Sequence, residues 1–347
     1  MVAVSVYFVT NRNEQPENKK LVFGPRFNPD GVAGLRFGQV DFPAGAETLQ
    51  ASKVVVYPDV KGATDVTQTG GGQFLEHLRQ QMLGGRDTLT FIHGFNVSFN
   101  DAIEAGARLA RSVRVVDAET REPRPVNVVV FSWPSDGEAV PWMSYYSDRE
   151  DARASGPALA RAYLKLLEFL ASLKSKDRCD RSIHLLAHSM GAYVLRQGLQ
   201  AILAKDSKSL TRLFNQILLA APDEDDDTFE TEAKLKLLPR IGRQVTVYFN
   251  PSDRALVVSD KTKGNPDRLG SDGPRLVDML PKKVVLVDCR NVAVDADALA
   301  HHGYFARSPA MAADIGAVLS GADPERMANR AYVPSERAWR LDRELTP

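Results

Sequence analysis

The chain has 347 residues, 44% of them hydrophobic, which is enough apolar material for a large buried core. Lys plus Arg and Asp plus Glu both number 44, so the formal net charge is zero, which argues against nucleic-acid and anionic-membrane partners. The two cysteines, Cys179 and Cys289, are too few for a disulfide framework and lack a metal-ligand spacing.

The sequence opens MVAVSVYFVTNR. No basic segment leads into an apolar run of signal-peptide or membrane-span length, so Val4–Thr10 reads as a first strand and a cytoplasmic location is expected. Lys53–Tyr57 is a second apolar run. Thr88–His93 is a third; it ends in His93-Gly94-Phe95-Asn96, and apolar residues three and four apart then predict a helix over Ala102–Val113. Val126–Trp133 contains VNVVVF, a continuous run of the kind found in strands covered on both faces of a parallel sheet. Pro134–Asp151 reads as a connecting segment and holds Trp142, Tyr145 and Tyr146. A helical pattern over Pro157–Leu173 leads to a strand over Ser182–Ser189, which runs directly into a helix over Gly191–Ala204. Strands over Gln216–Ala221, Gln244–Asn250 and Lys283–Cys289 follow, with a long loop at Ser259–Met279 and a last helix at Ala306–Leu319. This alternation predicts one α/β domain over 1–320, a mostly parallel central sheet of about eight strands flanked by helices. The charged, weakly periodic segment 321–347 is either a packed tail or partly disordered.

In such sheets the reactive groups sit just after the strands' carboxyl ends. Ala187-His188-Ser189-Met190-Gly191 joins strand to helix in the pattern of a nucleophile elbow, with alanine at the first small position. A serine on that sharp turn needs small residues two positions to either side, and the following helix directs its amino terminus at developing negative charge. Ser189 is therefore the candidate nucleophile. The oxyanion donors expected with it are the backbone N–H of Met190 and that of Phe95, freed to turn by Gly94. His93, His184 and His188 read as packed histidines.

A serine hydroxyl needs a base, and the base needs a carboxylate to hold its tautomer. Chain order places both after Ser189. Only His301 and His302 remain there, and Gly303 after His302 suits a loop reaching over the sheet, so His302 is the favoured base and His301 the alternative. Asp253, after the strand QVTVYFN, is the favoured acid, and Asp223, one strand earlier, is the alternative. The acidic run Glu224–Asp227 reads as a solvated helix start, not a metal site. Trp142, Tyr145 and Tyr146 are candidate substrate-lining residues. The short interval from Pro222 to Arg243 predicts a small or absent cap and an accessible site.

TNR after the first strand, FIHGFNVSF, VVFSWPS, LLAHSMGAYVLRQ, LLAAPDEDDDTF, the D-x-A-L of Asp253–Leu256 and HHGYF together resemble the bacterial α/β-hydrolases once grouped as domain of unknown function 900. The resemblance runs from Thr10 to Phe305. It implies Ser189 as nucleophile with Asp253 and His302 as partners, and an esterase- or lipase-type activity of undefined substrate. The family's histidine is commonly followed by Ser-Tyr, whereas Gly303-Tyr304 stands here. The expected reaction is cleavage of a small-molecule carboxylic ester through an acyl-enzyme, with no cofactor and no metal. Thioester or amide hydrolysis and acyl transfer would use the same groups. A hydrolase fold retained only for binding is the reading of another class. The oligomeric state is left open, since a pI near 7.0 leaves little charge repulsion near neutrality.

Overall fold

The computed structural model of the chain describes residues 2–17, 20–31, 34–50, 53–59, 65, 68–135, 141–253, 256, 267–292 and 302–342. Its strands begin with β1 (Val4–Thr10), a hairpin of β2 (Arg12–Glu17) and β3 (Lys20–Phe27), β4 (Arg36–Phe42) and β5 (Val54–Val56). Helix α1 (Gly70–Leu83), strand β6 (Thr88–Ile92) and helix α2 (Phe99–Ser112) follow. A second hairpin of β7 (Arg114–Val116) and β8 (Pro123–Pro125) leads to β9 (Asn127–Ser132) and the long helix α3 (Pro141–Ser172). Next come β10 (Ile183–His188), α4 (Gly191–Asp206), β11 (Phe214–Ala220), β12 (Gly242–Phe249) and β13 (Val284–Asp288). After the helix Pro309–Leu319, strands β14 (Arg330–Val333) and β15 (Ala338–Leu341) end the described fold.

Among the described residues the main sheet has 11 strands in the order β14-β15-β13-β12-β11-β10-β6-β9-β1-β4-β5. The pairings from β15 across to β1 are parallel, while β4, β5 and β14 join antiparallel at the two edges. The expected count of about eight strands is therefore too low. The missing ones are β4, β14 and β15, whose sequences RFGQVDF, RAYV and AWRL carry charges within the strand. Edge strands tolerate such residues, and a search for unbroken apolar runs passes over them.

Side chains alternate between two cores, as the strand period of two requires. Leu185, Ala187, Val129 and Phe131 point into a core under α1, α3 and α4. Leu186, Leu89, Val128 and Val130 point into the opposite core, under α2 and the helix Pro309–Leu319. All six residues of β9 are buried, which explains its unbroken apolar sequence. Each fully buried valine there is worth about 1.5–3 kcal/mol relative to exposure.

Two segments differ from their sequence reading. The connection expected before Pro157 is largely helical, because α3 starts at Pro141 and runs through Pro157. Proline cannot donate to the carbonyl four residues back, yet packing against α4 carries the helix past it. The backbone at Gly156 lies so close to Gln197 that a Cβ would sit 2.6 Å from that residue's Cβ. Between β11 and β12 there are turns and one four-residue helix, Leu238–Ile241, with no larger insertion that would form a cap. No helix among the described residues is long and apolar enough to cross a membrane.

Candidate active site

Strand β10 delivers Ser189 at its carboxyl end, directly before α4. Ser189 has φ 52°, the left-handed region that costs a non-glycine residue on the order of 1–2 kcal/mol. Three hydrogen bonds hold the turn. Ser189 N–H donates to Ala220 O at 3.0 Å, and Ser189 O accepts from the N–H of Asp223 at 3.1 Å and of Ala192 at 3.0 Å. At Gly191 a Cβ would meet Ile92 O at 2.5 Å and His93 O at 2.7 Å, both backbone atoms that cannot yield cheaply. The requirement for glycine at this position of the elbow follows from that contact.

The loop after β6 packs against the serine: a Cβ on Gly94 would lie 3.0 Å from Ser189 Cβ. Among the described residues, neither Phe95 N–H nor Met190 N–H donates a hydrogen bond to another group. Phe95 is half-buried and Met190 is fully buried. Asn96, with φ 54°, turns the loop, and its N–H donates to Asp148 Oδ2 at 2.7 Å. His93 is enclosed against Trp133, with which it stacks at 5.2 Å. Its Nε2 accepts from Trp133 N–H at 3.2 Å, so Nδ1 carries the proton and donates to Gly94 O at 2.8 Å. Burial, assisted by the nearby Arg12 guanidinium, lowers the His93 pKa to about 3, so the ring stays neutral.

His302 Nδ1 lies 2.7 Å from Asp253 Oδ2. Asp253 is wholly buried, and His302 Nε2 is buried with no hydrogen-bond partner among the described residues. Burial opposes charging of the His302 ring, but the Asp253 carboxylate and its hydrogen bond outweigh it, with help from Asp223, and the pKa rises above its ordinary value of 6.5. His188 packs under this ring. Its Nε2 donates to His302 O at 2.9 Å, and its ring stacks on Phe305 at 4.2 Å. Burial, then the neighbouring His302, pushes the His188 pKa well down, so it is a neutral brace. His184 contacts Asp87 at 3.3 Å, at the far end of β10. His301 lies outside the described residues.

Asp223, the alternative acid, acts on the His302 ring through its charge. Its carboxylate accepts from Tyr145 O–H at 2.7 Å and faces the buried Arg268 guanidinium at 3.6 Å. The acidic run after it, expected as a solvated helix start, is instead tied into ion pairs. Glu224 is fully buried and pairs with Arg196 at 3.1 Å, Asp225 pairs with Arg268 at 2.7 Å, and Lys234 binds both Asp225 and Asp227. No group of three or more potential metal ligands occurs among the described residues. Tyr145 is buried and meets Phe95 edge to face at 5.6 Å, while Tyr146 is exposed beside it at 6.0 Å. The Trp142 side chain lies outside the described residues.

The sequence reading passed over the network that fixes the loops around Ser189. Arg12, only 1% exposed, donates from Nη2 to Val97 O at 2.7 Å, from Nη1 to Ser135 O at 3.2 Å and Gly24 O at 3.3 Å, and from Nε to Ser132 Oγ at 2.9 Å. Ser135 Oγ accepts from Val97 N–H at 3.1 Å and donates to the same Asp148 oxygen that holds Asn96. One guanidinium thus fastens the loops after β6 and β9 to the first strand's end. In the sequence this network belongs to the TNR and SWPS segments, Thr10-Asn11-Arg12 and Ser132-Trp133-Pro134-Ser135.

A search among curated proteins returns no match to this chain. The family described as alpha/beta hydrolase of unknown function (DUF900) matches residues 36–320. Most of the chain is covered, the sheet is mostly parallel, and the serine stands on a strand-to-helix elbow; the chain belongs to this α/β-hydrolase family.

Proposed function

We propose that the protein is a serine hydrolase that cleaves small carboxylic esters through an acyl-enzyme. One observation carries the reading: the buried Asp253–His302 hydrogen bond leaves Nε2 as the ring's available nitrogen, in a residue whose carbonyl is bonded to His188, the neighbour of Ser189 in the elbow. Ser189 Oγ attacks the ester carbonyl carbon and its proton passes to His302 Nε2. The oxyanion is received by the N–H groups of Phe95 and Met190. The tetrahedral carbon then expels the alcohol, which takes the proton from His302. Water, deprotonated by the same nitrogen, attacks the acyl-enzyme and releases the acid and Ser189. Asp253 holds the tautomer and stabilises the imidazolium.

Phe95 and Tyr145 would flank the acyl group, with Tyr146 at the rim. The absence of a larger insertion between β11 and β12 supports soluble, modest-sized esters. The test is labelling with a fluorophosphonate probe followed by mass mapping of the modified peptide. Label on the peptide containing Ser189 is expected. Ser189→Ala should abolish it, lower kcat/KM by about 10³-fold or more, and leave the circular dichroism spectrum unchanged. Full ester turnover by folded Ser189→Ala would overturn the assignment.

A further inference from the structure

A cavity of about 650 Å³ lies between the sheet and helices α1, α3 and α4. That size falls within the roughly 300–1,000 Å³ of small-molecule sites. Its interior is apolar: Phe131 and Leu185 from the sheet face Leu78 of α1, Leu166 of α3 and Leu199 of α4. Its mouth is at the strands' amino ends, since Thr88 and Ile183, the first residues of β6 and β10, line it. Ser189 follows the opposite end of β10, about 20 Å away at roughly 3.3 Å per residue. Neither Ser189, Asp253 nor His302 borders the cavity.

The charged lining is one-sided. Arg79, Lys165, Arg178, Arg181, Arg212 and Arg243 border the cavity, and no aspartate or glutamate does among the described residues. The chain as a whole has equal numbers of cationic and anionic side chains, so this concentration is local. Arg79 is engaged by Glu76 and Arg181 by Asp117. The side chains of Lys165, Arg178, Arg212 and Arg243 form no ion pair or hydrogen bond among the described residues. Arg178, Arg212 and Arg243 are exposed, so their charges sit in water at the mouth while the apolar walls lie behind.

We propose that this cavity is a second binding site, independent of the Ser189 centre, for a free single-chain carboxylate amphiphile of the fatty-acid type. The alkyl chain lies between the sheet and α3, where each methylene taken from water contributes by the hydrophobic effect. The carboxylate stays at the mouth, where a guanidinium matches it with two parallel N–H donors. Polar ligands such as nucleotides are disfavoured by the walls. The phenol of Tyr163, on the lining, already serves Ser209 O and Thr211 O at 3.1 and 2.9 Å.

The full chain is titrated calorimetrically with dodecanoate and, separately, with dodecyltrimethylammonium, which has the same tail and the opposite charge. Saturable dodecanoate binding at one site per chain is expected, with the cation at least tenfold weaker. The double variant Arg212→Glu/Arg243→Glu, altering two exposed side chains without partners, should weaken dodecanoate at least tenfold. Leu166→Trp, which fills the interior, should weaken it without touching the rim. Cys179, half-buried on the cavity lining, provides a second readout. Dodecanoate should slow its reaction with a thiol reagent, while fluorophosphonate labelling at Ser189 proceeds unchanged. Absence of dodecanoate binding overturns the proposal. So does equal binding of the cation, full affinity in both variants, competition at Ser189, or binding confined to anionic phospholipid vesicles.

Discussion

His302 and Asp253 meet at 2.7 Å in a buried setting, and the consequences for pH run in two directions. The folded-state pKa of His302 is raised above 6.5, so the pair stabilises the fold below that value and loses this contribution as pH rises through the elevated pKa. Catalysis by the proposed route needs the neutral ring and runs the opposite way. The acid limb of kcat/KM should therefore have its midpoint above 6.5, and Asp253→Asn should move it lower. The same variant should reduce kcat by about 10⁴-fold, as loss of the tautomer-holding carboxylate does elsewhere. A pH–rate series on both proteins decides this, and an unchanged midpoint in Asp253→Asn would separate the carboxylate from the titration. At this scale the sequence was informative where chemistry is local. AHSMG announces a strand-to-helix turn within five residues, and the order of strands brings Asp253 and His302 to one end of the sheet. It named Tyr145, Asp223 and His188 but not their pairings: the Tyr145–Asp223 bond spans 78 residues, and the partner of His188 is 114 residues away. No local pattern encodes such meetings.

One side chain reaches across several of the elements nearest Ser189. Arg12 links the loops after β6 and β9, and also reaches β3 of the first hairpin. Its removal would leave several buried carbonyls unsatisfied, each at about 1–3 kcal/mol, and would loosen the loop that carries Phe95 N–H. Arg12→Ala is expected to lower the unfolding free energy by about 3 kcal/mol or more. Arg12→Lys should recover little, because an ammonium cannot fork to four separated acceptors. Urea unfolding measured beside ester turnover checks both effects; retention of wild-type stability in Arg12→Ala would refute the bracing role. The same distinction explains which elements were legible. Strands buried on both faces have continuous Val, Ile and Leu, so β1, β6 and β9 to β13 stood out. Strands β4, β14 and β15 carry charges, and the first half of α3 has Trp, Tyr and Asp where an apolar stripe would be sought. Their structure is set by tertiary neighbours, which override local preference.

For the whole molecule, Arg330–Val333 and Ala338–Leu341, beyond residue 320, are part of the sheet: β15 pairs with β13 and carries β14. Arg330 of β14 forms a two-pronged pair with Asp314 at 2.7 and 2.6 Å, and Asp314 also accepts from Tyr248 O–H at 2.8 Å. Both charged side chains are fully buried. Arg330→Leu would strand Asp314 and should cost about 3–5 kcal/mol, seen as a lower denaturation midpoint. Joint replacement of Arg330 and Asp314 by apolar residues should restore much of that loss. If the single variant unfolds like wild type, the tail is not coupled to the core. None of this long-range order could be read from the chain, because sheet order depends on pairings that local patterns do not specify. The pairing of β1 with β9 also has a consequence for how the protein is made. Thr10 bonds to Ser132, 122 residues later. At roughly 5–20 residues per second of translation, the first strand waits about 6–25 seconds for its parallel neighbour. During that interval β4 and β5, which follow it closely and pair antiparallel, can cover one of its edges, leaving the other exposed on the ribosome.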